Sequence, residues 1–271
     1  MKRHCVLYFY LTNDWKESET NALCLKCLRE FQHNYSSVKI YLSISNECTI
    51  NASKDIIDWL VRNITIPKEI IPIQNNKSLC ETSVYYPILT GENDAISRYG
   101  DDDIVFMCHA KGYTNMTDNR FKNKDAILNW VGGMWWFNNH DVSDIDSLFE
   151  NPDIISVGMF LVKYGFNFNK YNWHYSGTLF WINPKKLDKY IKEHNMEIPP
   201  FKNRYWSEQF LGNIYPIVHA GTTGVVFDWN TNRFDGYGRD KPNEITWKNY
   251  IVSELLVKYN KWFENIKKEI L

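Results

Sequence analysis

The first 73 residues alternate between apolar runs and helical patterns, and this alternation constrains the fold more than any other feature. Residues 5–11 are continuously apolar, and residues 38–44 and 69–73 have the composition of further strands. Apolar residues recur at helical spacing after Ser18 and again over residues 54–62. Strands separated by helices in this way are typical of a parallel sheet covered on both faces. We therefore predict an α/β fold with a mainly parallel sheet, with ligands bound at the carboxyl ends of its strands.

The remainder of the chain continues this pattern without a repeat or a linker. The predicted helices cover residues 81–97 (with Pro87 as a kink or boundary), 125–138, 184–194, 205–211 and 244–271, and the predicted strands cover 103–108, 154–160, 176–182 and 225–228. The stretch 227–240 is rich in Asn, Gly, Asp and Arg, which predicts a mobile loop. A length of 271 residues fits a single domain.

Composition and charge exclude several classes of protein. With 31 Lys and Arg against 32 Asp and Glu, the net charge of −1 provides no overall field to hold a nucleic acid or an anionic membrane. The six scattered cysteines favour buried thiols over a zinc or redox site, since Cys24 and Cys27 form the one close pair. The chain has no run of about 18 apolar residues and begins directly with a strand. We expect a cytoplasmic protein with peripheral membrane contact at most.

A short motif follows the predicted fourth strand and is the sharpest chemical signal. His109, Lys111 and Gly112 lie where a diphosphate binds in a nucleotide-binding sheet. A lysine ammonium neutralises phosphate oxygens, an imidazole donates a hydrogen bond, and a glycine lets the backbone approach closely. The alternative is a histidine satisfied by a neighbouring strand beside a surface lysine. The acidic run 101–103 precedes the same strand, so a solvated turn at the opposite edge is favoured over a metal site.

Three further segments contain candidate site residues. Aromatic residues bracket a Ser-Gly step between Trp173 and Trp181, and aromatic rings stack on sugars, although core packing is the alternative. Glu208 lies among aromatic residues on a short predicted helix. Partial burial there would raise its pKa toward that of a general base, and the alternative is an exposed helix residue. The segment 219–224 is polar and glycine-rich, which is a weak indication of phosphate contact.

Taken in order, these segments resemble glycosyltransferases of the GT-A type, specifically bacterial and viral sugar-transferase-like proteins with a His-x-Lys-Gly box. The resemblance extends over about residues 3–215. It implies a nucleotide-sugar-binding half over residues 1–112, an acceptor and catalytic half over 113–243 and a C-terminal helix over 244–271. It implies donor-binding roles for Tyr10, Thr12, Asn13, Asn75, Glu81, His109, Lys111 and Gly112, and acceptor-binding roles for Trp173, His174, Ser176 and Gly177.

The function that follows is transfer of a sugar from a UDP-, GDP- or dTDP-sugar to a hydroxyl of a glycan, as in surface polysaccharide or glycoprotein glycan synthesis. Glu208 is our candidate base, with Asp118 and Asp228 in reserve, and Lys111 and His109 would stabilise the leaving diphosphate. Family members commonly carry Asp-x-Asp where this chain has His109-Ala-Lys111, which leaves a requirement for Mn²⁺ or Mg²⁺ open.

Three alternatives stay open at this point. One is a metal-dependent form of the same enzyme, with His219 and a carboxylate as ligands. The second is a noncatalytic nucleotide- or glycan-binding module of the same fold. The third is a scaffold that docks through its basic C-terminal helix. The apolar stripe of that helix favours packing on the core instead.

Overall fold

A computed structural model describes residues 1–110, 124–159, 161–163, 170–171, 173–175, 177–200, 206–222, 225–228, 233–236 and 249–270. The strands are β1 (Arg3–Leu11), β2 (Ser37–Ile44), β3 (Lys68–Gln74), β4 (Ile104–His109), β5 (Ser156–Gly158), β6 (Leu161–Lys163), β7 (Trp173–Tyr175), β8 (Phe180–Ile182), β9 (Ala220–Thr222), β10 (Val225–Asp228) and β11 (Arg233–Gly236). The helices are α1 (Glu19–Phe31), α2 (Ile50–Asn63), α3 (Thr82–Thr90), α4 (Lys124–Asn139), α5 (Val142–Glu150), α6 (Pro184–Glu193), α7 (Trp206–Ile214) and α8 (Asn249–Ile270).

Seven strands form one sheet in the order β3-β2-β1-β4-β8-β5-β9. Strands β3, β2, β1 and β4 are mutually parallel, β8 runs antiparallel to β4 and β5, and β9 is parallel to β5. The predicted α/β class with a mainly parallel sheet flanked by helices is therefore confirmed. The chain builds outward from β1 through β2 to β3 and then returns to place β4 on the other side of β1. The sheet thus has its topological switch point between β1 and β4, where open α/β sheets bind ligands.

Alternate residues of the central strands face two separate apolar cores. Leu7, Phe9 and Phe106 belong to the core that includes α1, α4 and α8. Val6, Tyr8 and Met107 belong to the core that includes α3, α6 and α7. Because successive strand residues point to opposite faces, the register of β1 and β4 decides which polar residues meet the second group of helices. His109 continues the Val105–Met107 alternation and therefore lies on the α3 and α7 side.

Several predicted boundaries are wrong, and local backbone geometry gives the reason. The helix predicted over 81–97 ends at Thr90, because Gly91 adopts a left-handed conformation with φ of 71°. The strand predicted over 176–182 is shorter, since Gly177 and Thr178 have positive φ angles and β8 begins at Phe180. Strands β6 and β7 pair in an antiparallel ribbon of their own that the sequence did not indicate.

The predicted mobile loop over residues 227–240 is also wrong in part. Strands β10 and β11 pair antiparallel there, with Phe227 opposite Phe234. Residues 229–232 and 237–240 lie outside the described part of the chain.

The C-terminal helix packs on the core, as its apolar stripe predicts. Tyr259, Phe263 and Ile266 are buried, and the Tyr259 hydroxyl donates a hydrogen bond to the Asn129 main-chain carbonyl in α4. No helix among the residues described has the length and apolarity needed to cross a bilayer. The thiols of Cys5, Cys24, Cys27 and Cys108 are buried in the same core, which fits the interpretation of structural cysteines.

Candidate functional site

The carboxyl ends of β1, β2 and β3 are tied together by a chain of hydrogen bonds. The Tyr8 hydroxyl in β1 donates to Ser43 Oγ in β2 at 2.9 Å, and Ser43 Oγ donates to Asn75 Oδ1, just after β3, at 3.1 Å. Burial raises the pKa of Tyr8 well above its usual range, so the phenol keeps its proton. Sequence analysis selected Asn75 and missed Tyr8 and Ser43, which only the strand register brings together.

His109 lies directly beside Tyr8 in the register of β1 and β4. Its Nδ1 lies 3.9 Å from Glu81 Oε2, and the two side chains are only 9% and 10% exposed. Its Nε2 lies 3.0 Å from the main-chain oxygen of Gly177. A carbonyl oxygen only accepts hydrogen bonds, so Nε2 carries a proton and Nδ1 faces the carboxylate.

This arrangement changes the chemistry expected of His109. Sequence analysis assigned it a hydrogen bond to a phosphate oxygen, but its Nε2 proton is directed at Gly177. His109 therefore anchors the turn that contains Gly177, and its Nδ1 faces the Glu81 carboxylate.

Gly177 and Thr178 form a tight turn with left-handed backbone at the entry to β8. Gly177 has φ of 96°, and a Cβ atom there would overlap Met134 Sδ and lie 3.3 Å from Trp130 Cζ2. Thr178 has φ of 59° and is fully buried. Its hydroxyl donates to Glu208 Oε1 at 3.2 Å. The turn thus contacts His109 on one side and Glu208 on the other.

Glu208 lies in the first turn of α7, and two neighbouring elements influence it. The side chains of Thr82 in α3 and Ser207 in α7 are joined by a hydrogen bond of 3.2 Å, which fixes the start of α7 against α3. His174 in β7 is 4% exposed; burial lowers its pKa, and the negative charge of Glu208 partly opposes that effect. The site therefore brings together Glu81, His109, His174 and Glu208, all predicted, with Thr178, which was not.

Replacement of Glu208 with Gln should lower the pKa of His174 further. The carboxylate stabilises the imidazolium against desolvation, so its loss leaves burial unopposed. The folded-state pKa of His174 is below its ordinary value of 6.5, so stability is lost as pH falls below about 6.5, and Glu208→Gln should deepen that loss. Titration of the ring by NMR measures the pKa. An unchanged midpoint would contradict the proximity, and Glu193→Gln, on the exposed side of α6, is the matched control.

The other predicted donor-site residues differ in their surroundings. Tyr10 is half-buried on the same face of β1 as Tyr8, and Thr12 follows that strand. Asn13 ties the loop after β1 to the start of α2: its Nδ2 donates to the Glu47 carbonyl, and its Oδ1 accepts from the Thr49 main-chain N–H, both at 2.7 Å. Lys111, Gly112, Ser176 and Asp118 lie outside the described residues, as does the side chain of Asp228.

Trp173 requires a correction, because sequence analysis assigned it to the acceptor site. It is 1% exposed, its indole N–H donates to the Tyr215 carbonyl, and its ring packs against Tyr175 and Tyr215. A ring buried to this extent does not offer a face to a sugar. Trp173 is a core residue, which was the alternative interpretation of this aromatic segment.

The acidic run and His219 lie at the opposite edge of the sheet. Asp103 accepts hydrogen bonds from the main-chain N–H groups of Lys2 and Gly100, both at 2.8 Å, which is the solvated turn that was favoured. His219 precedes β9, and its Nδ1 lies 2.9 Å from the Asp153 carbonyl. Since β9 and β5 run parallel and begin at this edge, His219 cannot share a metal with residues beside His109. Within the described ranges, no three His, Cys, Asp or Glu side chains form a group able to hold a metal ion.

Comparisons with known proteins give similarity in structure only. No protein-family model and no curated protein matches the chain. Among solved structures, the chain is similar to the crystal structure of S. aureus TarS 1–349, with 9% sequence identity and a TM-score of 0.38. The similarity covers 79% of this chain and 55% of TarS 1–349, so it spans about half the length of that protein.

Proposed function

We propose that this chain is a glycosyltransferase of the GT-A type, which transfers a sugar from a nucleotide-diphosphate-sugar to a hydroxyl of a glycan. One observation supports this proposal above the others. At the switch point of the sheet, the Glu81–His109 pair and the Glu208 carboxylate are joined through a single turn, Gly177–Thr178. Acid and base groups gathered at this edge of an α/β sheet fit a group-transfer site for a nucleotide substrate.

The donor would lie along the carboxyl ends of β1, β2 and β4. The buried Tyr8 and Ser43 hydroxyls would hold the half-buried Asn75 amide at this edge, where it would contact a ribose or base. Tyr10 near the end of β1, and Thr12 and Asn13 just after that strand, would continue that edge. Lys111 and Gly112 follow β4 within three residues of His109, so they would bring a fixed positive charge and a close main-chain approach to the diphosphate.

The chemistry assigns one role to each charged group. Glu208 would take the proton of the acceptor hydroxyl as its oxygen forms a bond to the anomeric carbon. The bond from that carbon to the diphosphate oxygen breaks, and the electron pair stays on the diphosphate. Lys111 and protonated His109 would stabilise the developing negative charge. Gly177 and Ser176 would line the acceptor side, and the buried His174 would act through its charge interaction with Glu208.

The His109-Ala110-Lys111 sequence bears on metal dependence. Two cationic groups stand where related enzymes commonly use two aspartates to hold a divalent ion, so we propose that this pair neutralises the diphosphate in its place. Transfer that survives EDTA would support this part of the proposal. Transfer that is lost with EDTA and restored by Mn²⁺ or Mg²⁺ would show that a metal takes part.

A thermal-shift panel of UDP-, GDP-, dTDP- and CMP-sugars, with and without Mn²⁺, tests the proposal. A donor at about 100 times its Kd stabilises the folded state by about 2.7 kcal/mol, which raises Tm by roughly 5 °C or more. Mass spectrometry then follows cleavage of the donor that binds. Binding with no donor cleavage or transfer would indicate the noncatalytic module instead, and the absence of any shift across the panel would refute a nucleotide-sugar site.

A further inference from the structure

Thr178 combines three properties that rarely occur together. It is β-branched, it is fully buried, and its backbone is left-handed with φ of 59°. A β-branched residue in this region of φ is a genuine outlier, because its side chain crowds the following carbonyl. Such a residue persists when its surroundings determine its conformation, and strained residues of this kind cluster at functional sites.

The surroundings of Thr178 explain how the strain is held. On one side, the Gly177 carbonyl accepts the hydrogen bond from His109 Nε2 at 3.0 Å. On the other, the chain enters β8, where Phe180 pairs with Met107 in β4, two residues before His109. The turn is therefore fixed at both ends to the strand that carries His109. This fixed geometry directs the Thr178 hydroxyl toward Glu208 Oε1, at 3.2 Å.

We propose that Thr178 is a positioning residue, whose hydroxyl holds the Glu208 carboxylate in the orientation needed to accept a proton. This inference rests on the proposed function, in which Glu208 is the base. Glu208 is only half-buried at the start of α7, and a glutamate there has several accessible rotamers. A hydrogen bond from a buried, rigid donor selects one of them. The same turn sets the distance between the base and the diphosphate site, because His109 anchors its other side.

A purely structural role is the competing explanation, and the two roles predict different responses. A structural hydroxyl would stabilise the turn, and its loss would lower Tm and change substrate binding and turnover together. A positioning hydroxyl acts on one carboxylate, so its loss should lower kcat and leave the donor KM unchanged. Its donation also stabilises the charged form of the carboxylate, which a neutral methyl group cannot do.

The test compares Thr178→Val, which keeps the shape and β-branching, with Thr178→Ser, which keeps the hydroxyl, in the full chain. With the donor that the panel identifies, Thr178→Val should lower kcat about 10- to 100-fold and leave the donor KM within about threefold. Thr178→Ser should stay within about threefold of the unmodified chain. Equal losses in both variants, or a normal kcat in Thr178→Val, would overturn the proposal.

A second measurement needs no substrate and separates this inference from the proposed function. The Glu208 carboxyl group is titrated by ¹³C NMR, its signal assigned by its loss in Glu208→Gln, and the ring of His174 is followed in the same samples. Thr178→Val should move the Glu208 midpoint upward by about one pH unit, and Thr178→Ser should not. An unmoved midpoint would overturn the contact itself. If no donor is ever turned over, the proposed function fails, and this titration still decides whether Thr178 holds Glu208.

Discussion

Turnover should fall by about two to four orders of magnitude when Glu208 is replaced with Gln, the usual contribution of a positioned general base. Gln is nearly isosteric and keeps an oxygen able to accept the Thr178 hydroxyl, so the turn and the start of α7 should remain in place. Donor binding should change little, because the proposed donor contacts lie at the ends of β1 to β4 and not on α7. The measurement is single-turnover donor cleavage with acceptor present, together with the donor Kd from thermal shifts.

Glu193→Gln is the matched control for this prediction. Glu193 makes an exposed contact with Lys189 on α6, so the same chemical change there should leave turnover within about twofold. Near-normal transfer by Glu208→Gln would remove Glu208 as the base and direct attention to Asp118 or Asp228. A large loss of Tm in that variant would instead show that Glu208 supports the fold.

Gly177→Ala should cost about 2–5 kcal/mol of unfolding free energy and abolish the geometry of the site. Two effects add: a left-handed backbone costs roughly 1–2 kcal/mol for a residue with a Cβ, and overpacking costs about 1–3 kcal/mol. The new methyl group would overlap Met134 Sδ, and Met134 is itself fully buried in the core. Relief would require movement of the turn, which would break the contact of His109 with the Gly177 carbonyl. Urea denaturation measures the loss.

Two further variants separate the cost of the left-handed backbone from the cost of overpacking. Gly100→Ala adds a Cβ where φ is not positive and the nearest atom is a carboxylate oxygen of Asp103 at 3.3 Å, so it should cost less than about 1 kcal/mol. Adding Met134→Ala to Gly177→Ala removes the overlap but keeps the backbone strain. A Gly177→Ala chain that is as stable as the original would show that the turn does not require glycine.

The alternation of the first strands and helices along the chain followed from the sequence because its signal is local. The apolar run over β1 needs only its own residues to indicate burial on both faces, and the helical spacing of α1 is equally local. The positions where a strand or helix is interrupted were harder to predict from the sequence. Gly177 and Thr178 lie in a segment predicted as a strand, and only the tertiary structure shows the chain turning there, with the Gly177 carbonyl held by His109.

The residues of the candidate site also differ in whether the sequence could identify them. His109 and Glu208 could be selected because a polar group after a buried strand, or a carboxylate among aromatic residues, stands out along the chain. Tyr8 and Thr178 could not, because each is an ordinary residue within its own segment. Trp173 was assigned wrongly for a related reason, since an aromatic residue in a core and one in a sugar site look alike in a sequence.

By itself, the sequence determined the α/β class and the mainly parallel sheet built from the first strands. These follow from hydrophobic periodicity, which depends on neighbours within a few residues. Only the tertiary structure decided that a turn at residues 177–178 joins His109 to Glu208, and that His219 lies at the far edge. Such contacts join segments far apart in the chain, and the strand register and helix packing that create them leave no mark in any one segment.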